Sequence, residues 1–280
     1  MAEINQECLA GEAKSDPIFM KMITSPHVED AKRIFSEHGV CIIPDALSKD
    51  LVADIRETLF ADMDADEKAG VLYRGSPGSD FDDKNIRIAD LPNKGHHFLD
   101  LLESPIAKDF LLTFLGRGAL LSSFTANIPG PGAAGMGWHT DQGYVPRPWP
   151  DYLLALNILW AIDRTTFDNG ATWIVRGSHL FDRGPSLHGK YDAVALEAPP
   201  GSIYVMDGRM WHRTGVNRTV DEQRTVLLAY CCRAFIRTQV SWSNSLDPAI
   251  AAQFDQPQRD LFGLGYNPAN EISVWDDRIS

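Results

Sequence analysis

Residues 138–144 read WHTDQGY, which places His139 and Asp141 two apart around a small Thr140, directly behind the glycine-rich GPGAAGMG of 130–137. On a β-strand, alternate residues face the same side, so an imidazole and a carboxylate at this spacing point into one cavity as two legs of a metal site. Downstream, MDGRMWHRTG (206–215) supplies a third leg: His212 follows the apolar segment GSIYVMD and lies 71 residues after Asp141. Two histidines and one carboxylate match the facial triad that binds Fe(II) and leaves positions open for a chelating co-substrate and O2. Arg224 stands 12 residues after His212, at the start of the next apolar run. Its planar fork of N–H donors pairs bidentately with a carboxylate, which suits the far end of 2-oxoglutarate.

The segments around these residues are short, apolar and separated by Pro, Gly and Asp: ALLSSFTANI (119–128), LLALNILWAI (153–162), ATWIVRGSH (171–179), GSIYVMD and RTVLLAYCCRAF (224–235). Closely spaced strands without intervening helical patterns argue for an antiparallel barrel or sandwich. The first third has a different texture. Val28, Ala31, Ile34 and Phe35 recur at helical spacing and stop at Gly39, and VCIIPDAL (40–47) reads as a strand. A second helix starts at the Ser48 cap and runs through SKDLVADIRETLFADM, and a third helical stretch covers 97–116. Residues 65–85, rich in Gly, Asp and Ser, read as a long surface loop, and the tail 247–268 as a short helix packed outside.

Composition narrows the class. Lys and Arg total 26 against 38 Asp and Glu, a net charge of −12, which disfavours nucleic acid or an anionic membrane as a partner. Cys8, Cys41, Cys231 and Cys232 form no CxxC pair, so a reduced, cytoplasmic setting is expected. Neither a signal peptide nor an apolar run of about 18 residues is seen.

Taken together, FSEHGVCIIPDAL (35–47), WHTDQGY, NGATWIVRGSH (169–179), PPGSIYVMDGRMWHRTGVNRT (199–219), RTVLLAYC (224–231) and LFGLGY (261–266) resemble the phytanoyl-CoA dioxygenase (PhyH)-like family of Fe(II)/2-oxoglutarate-dependent dioxygenases. The resemblance implies a mainly β chain with flanking helices and a double-stranded β-helix (jelly-roll, cupin-like) core. It implies His139, Asp141 and His212 as iron ligands, Arg224 as the 2-oxoglutarate anchor and Thr172 as an aid to the co-substrate carboxylate. One domain is expected over residues 1–280, divided into a mainly helical N-terminal region (residues 1–117), the jelly-roll core (118–237) and a C-terminal extension (238–280). Related halogenases carry a small residue in place of the carboxylate, so Asp141 favours hydroxylation, desaturation or a related C–H oxidation, with release of succinate and CO2.

Two departures from the family pattern stand out. Arg176 replaces a common Pro before GSH, and Met136 stands where some fungal members carry a Gln that contacts 2-oxoglutarate. Asn157 is a polar residue inside an apolar strand and is a candidate cofactor contact. Tyr73, Arg87, Met136, Tyr144 and Trp149 are candidate substrate contacts, with Arg87 facing either a substrate carboxylate or Asp90. The glycines of 130–137 read as a flexible pocket edge. Aromatics flanking the triad, Trp138 and Trp211 among them, suit an apolar or polycyclic natural-product-type small molecule held by shape, although half or more of them belong to a core. The apolar LFGLGY offers a homodimer contact. Two alternatives use the same ligands: a non-catalytic cupin-type binding protein and a zinc hydrolase.

Overall fold

The computed structural model describes residues 13–70, 72–75 and 83–265. Among these, every strand pair is antiparallel. Seven strands form one sheet: β1 (Val40–Ile43), β2 (Tyr73–Arg74), β3 (Asn85–Ile88), β4 (Leu120–Pro129), β5 (Ala155–Ala161), β8 (Ile203–Asp207) and β10 (Val226–Cys232), in the order β1-β8-β5-β10-β4-β3-β2. Three more form a smaller sheet, β6 (Thr172–Val175), β7 (Ala193–Ala195) and β9 (His212–Thr214), in the order β7-β6-β9. The two sheets face each other as a double-stranded β-helix. They touch where Asn127 Nδ2 of β4 donates to Thr214 Oγ1 of β9 at 3.0 Å.

Helices lie before β4 and alternate with β1, β2 and β3. They are α1 (Pro17–Met22), α2 (Val28–His38), α3 (Lys49–Lys68), α4 (His96–Glu103) and α5 (Pro105–Phe114). Their ends follow from local chemistry. Asp16 caps α1 by accepting from Phe19 N, Ser48 caps α3 by accepting from Leu51 N, and α2 stops at Gly39, whose φ of 70° favours glycine. The helical stretch expected over 97–116 is two helices, because Pro105 has no N–H to continue the first and Ser104 caps the second.

The helices cover one face of the large sheet: Phe98 of α4 packs edge-on to Phe124 of β4, which in turn contacts Trp160 of β5. With the small sheet on the other face, all seven residues of β5 are buried. Three strands of the large sheet, β1, β2 and β3, come from the mainly helical N-terminal region rather than from the expected core. The loop read over 65–85 is shorter than expected. Helix α3 continues to Lys68, Tyr73–Arg74 pairs with β3, and Asn85 opens β3; residues 71 and 76–82 lie outside the described set.

Among the described residues of the C-terminal extension, α6 (Trp242–Ser245) comes first, and the stretch 247–268 holds two short helices in place of the one expected, α7 (Pro248–Ala251) and α8 (Gln256–Leu261). Trp242 and Phe262 bury against each other at a centroid distance of 5.2 Å. Tyr266 of LFGLGY lies outside the described residues. Cys231 enters the main core and Cys232 a small separate cluster, on opposite sides of β10 as alternation requires.

Candidate metal and co-substrate site

Backbone pairing places the two histidines. His139 and His212 form an antiparallel bridge, each N–H donating to the other's carbonyl at 3.0 and 2.9 Å, so both side chains leave the small sheet on the same face. Thr214 and Thr172 share that face, since Thr172 pairs with Thr214 and Ile174 with His212. Alternation sends Trp138, Trp211 and Trp173 the other way, into a cluster with Tyr191. The two tryptophans beside the histidines are therefore core and do not line a substrate pocket.

Each imidazole uses Nδ1 on a backbone carbonyl two residues before it: Gly137 O for His139 and Met210 O for His212, both at 3.0 Å. A carbonyl can only accept, so Nδ1 carries the proton and the Nε2 lone pair faces inward, as a metal ligand must. Burial and the neighbouring His212 push the His139 pKa down to about 4, against the opposing pull of Asp141, so the ring is neutral at pH 7.

Asp141 does not sit on a strand. It opens a turn, where Thr140 Oγ1 and Gln142 N both donate to Gly208 O at 2.7 and 2.9 Å. The turn still delivers the carboxylate: Oδ1 lies 3.9 Å from His139 Nε2 and Oδ2 3.5 Å from His212 Nε2. Candidate ligand atoms of the three residues all fall within 4.8 Å of one another. Two imidazoles with Nε2 facing inward and one carboxylate fit an Fe(II)-type facial site. A second group, His96, His97 and Asp100, lies on the first turns of α4, two of the three being exposed. There the positive helix terminus opposes a cation.

Asn157 faces the site, but its amide meets Asp141: Nδ2 donates to Oδ2. Its cross-strand partner Tyr230, which the sequence analysis does not single out, donates its hydroxyl to Asp141 O at 3.2 Å and contacts Tyr144 OH at 2.9 Å. A tyrosine on an apolar strand, at an inward position, is the signal that would have found it.

Register extends this inner face across the large sheet. Ser123 opposes Tyr230, Thr125 opposes Leu228, Arg87 opposes Asn127, and Tyr73 opposes Arg87. A cleft of about 700 Å³ opens along it, lined by Asp62, Asp66, Tyr73, Arg87, Ser123 and Thr125 among others. Most of its lining residues are polar or charged, among them Asp90, Asn93, Lys94 and Gln239, and none is one of the aromatic residues beside the triad. None of the three metal-ligand candidates lines it. Arg87 joins cleft and triad, since its charge acts on both Asp141 and His139.

Arg87 does not pair with Asp90, which accepts from Ser245 Oγ at 2.5 Å. Its Nη2 rests on Met136 Sδ at 2.9 Å, a weak acceptor, and its buried Nε has no partner. Met136 also receives Thr214 Oγ1 at 3.3 Å. Gly135, just before it, has φ of 80° and packs so closely that a Cβ would lie 2.7 Å from Thr214 O. Gly135 and Met136 thus pack tightly against β9, while Gly130 and Gly132 lie against Lys84 and Gly137 against Leu187.

Arg224 precedes β10 by two residues, is 1% exposed, and donates through Nε and Nη2 to Gly170 O. Burial lowers its pKa to about 10, so it keeps its charge at neutral pH. Trp149 donates Nε1 to Val145 O at 2.9 Å within its own loop, away from the cleft.

Comparison with known proteins adds to this geometry. The family description Phytanoyl-CoA dioxygenase (PhyH) matches residues 35–226. Dioxygenase af480 of Aspergillus fumigatus is 35% identical over 248 residues, covering 86% of this chain and 78% of that protein. Multifunctional dioxygenase ausE of Emericella nidulans is 28% identical over 251 residues, or 82% and 81%. Among solved structures, HygX from Streptomyces hygroscopicus with nickel, 2-oxoglutarate and hygromycin B bound has a TM-score of 0.58 at 15% identity, over 75% of this chain and 88% of that one. The alpha ketoglutarate dependent carbocyclase SnoK from nogalamycin biosynthesis has 0.59 at 19% identity, over 80% and 88%. At these identities the structural likeness is one of fold. No helix of the described residues is long and apolar enough to cross a membrane.

Proposed function

The chain belongs to the phytanoyl-CoA dioxygenase (PhyH) family, and on that footing we propose an Fe(II)/2-oxoglutarate-dependent oxygenase that oxidises a C–H bond of a small, oxygenated natural-product-type molecule. The observation that carries this reading is the convergence of two inward Nε2 atoms and one carboxylate beside a partly unpaired guanidinium. His139, Asp141 and His212 would hold the iron. When bound, the iron with 2-oxoglutarate supplies O2 activation, releasing succinate and CO2. The outcome on the substrate is hydroxylation, desaturation or a related oxidation.

The residues of the chain bind, orient and exclude water. Arg224, buried and charged, takes the distal carboxylate of 2-oxoglutarate, and Thr172, on the same sheet face as His212, assists the co-substrate carboxylate. Arg87, with Nε unpaired and only a thioether on Nη2, is held ready for a carboxylate in the cavity. Tyr73 and the polar cleft form the approach, and Tyr144 stands half-exposed next to the turn that carries Asp141. The polar and charged residues in the cleft lining offer hydrogen bonds to a scaffold bearing hydroxyl or carbonyl groups.

The test is anaerobic addition of Fe(II) and 2-oxoglutarate to metal-free protein. A weak visible charge-transfer band is expected, lost in Asp141→Ala and weakened in Arg224→Ala, followed by O2-dependent succinate release. A folded protein that binds metal but gives no band would favour the zinc-hydrolase or binding-module reading.

A further inference from the structure

Asp141 is the one member of the triad without a β-bridge. The turn beneath it is tied to Gly208 O by its neighbours Thr140 and Gln142, but these bonds leave the orientation of the Asp141 carboxylate open. Two side chains of the large sheet reach it instead. They are Asn157 and Tyr230, directly opposed in the pairing of β5 and β10, so they leave the sheet side by side on one face.

We infer that Tyr230 and Asn157 act as a pair of positioning residues that aim the Asp141 carboxylate at the metal. The inference rests on the metal-site reading above. Asn157 donates to Oδ2, which leaves Oδ1 turned toward His139 Nε2 at 3.9 Å. Tyr230 donates to the Asp141 carbonyl at 3.2 Å and so holds the main chain from which that carboxylate hangs. One bond sets the side chain and the other its root; losing either lets the carboxylate swing.

The pair is itself held. Tyr144 OH lies 2.9 Å from Tyr230 OH, and since Tyr230 spends its proton on Asp141, Tyr144 is the donor between them. Tyr230 and Asn157 are both buried, so water does not compete for their bonds to Asp141. Neither residue offers a ligand atom for iron of the kind His and Asp provide, so each acts through Asp141.

Co(II) titration of the metal-free full chain, without 2-oxoglutarate or O2, reads this directly, with the intensity and position of the visible d–d bands as the geometric signature. Tyr230→Phe and Asn157→Ala are each expected to weaken Co(II) binding by about tenfold or more and to alter the bands, in line with the usual cost of removing a residue that orients a ligand. Tyr144→Phe, one bond further out, is expected to weaken it less. Near-wild-type affinity and unchanged bands in both Tyr230→Phe and Asn157→Ala, with or without a lower Tm, would overturn the inference and leave the pair a purely structural contact. If Tyr230→Phe fails to fold by circular dichroism, Asn157→Ala decides alone. Wild-type protein that binds no Co(II) overturns the metal-site reading itself, an outcome distinct from unaffected variants.

Discussion

The histidine side and the carboxylate side of the site are built differently. His139 and His212 are placed by main-chain bonds between neighbouring segments of the small sheet, and carbonyls orient their rings. Asp141 sits in a turn and is aimed by side chains of the opposite sheet, Asn157 and Tyr230. Main-chain placement survives most side-chain changes, whereas side-chain placement is lost with a single atom. The carboxylate side is therefore the more sensitive half, and a bound metal joins groups held by two different sheets.

The largest effect is expected at the ligand that crosses between them. Asp141→Ala should bring O2-dependent succinate release to background while leaving the circular dichroism spectrum unchanged, because the turn is tied through Thr140 and Gln142. Next comes Arg224→Leu, which removes a buried, hydrogen-bonded charge. A cost of about 2 kcal/mol or more corresponds to roughly thirtyfold weaker 2-oxoglutarate binding, measured by titration, with Co(II) affinity in its absence near wild type.

If metal does clamp the two sheets, Ni(II) at about 100 times its Kd should stabilise the wild type by about 2.7 kcal/mol and raise its Tm, with no rise in Asp141→Ala. Equal shifts in both proteins would mean that metal binds elsewhere, for instance at His96 and His97. Thr214→Val tests the direct contact between the sheets. It strands the buried Asn127 amide and should cost about 1–2 kcal/mol by urea denaturation, with Thr214→Ser close to wild type.

The smallest effect concerns a second junction. His179 follows β6, lies against Gly39 beside β8, and has neither ring nitrogen partnered. Burial lowers its pKa below the usual 6.5; nearby Asp207 opposes this, while Arg209 and His38 add to it. The unfolded chain then binds the proton more readily than the folded one, so stability is full above about pH 6.5 and falls as pH drops toward the folded value. His179→Leu should flatten the fall in Tm between pH 7 and 5.5. An equally steep fall in the variant would assign the pH dependence to other groups.

Much of the site was legible because its ligands are encoded locally. HTD and WHR carry their own spacing, and Arg224 stands at a strand entry whatever the sheet order. Spacing alone reads Asp141 as a strand residue, yet it opens a turn, since a spacing of two also occurs where a bridge gives way to a turn. Asn157 was visible as polar among apolar neighbours, but which group it meets depends on a turn 16 residues away in the chain.

Helix caps, the apolar strands, the acidic balance and the identity of the metal-type ligands follow from the chain alone, because each rests on residues within a few positions of one another or on composition. Other features come from contacts between distant segments. These include the recruitment of β1, β2 and β3 into the core sheet, the turning of Trp138 and Trp211 away from the cavity, the placing of Arg87 against Met136, and the meeting of Asn157 and Tyr230 over Asp141. Strand order and register bring those segments together, and neither is written in local periodicity. A one-residue change of register would turn every inward side chain outward.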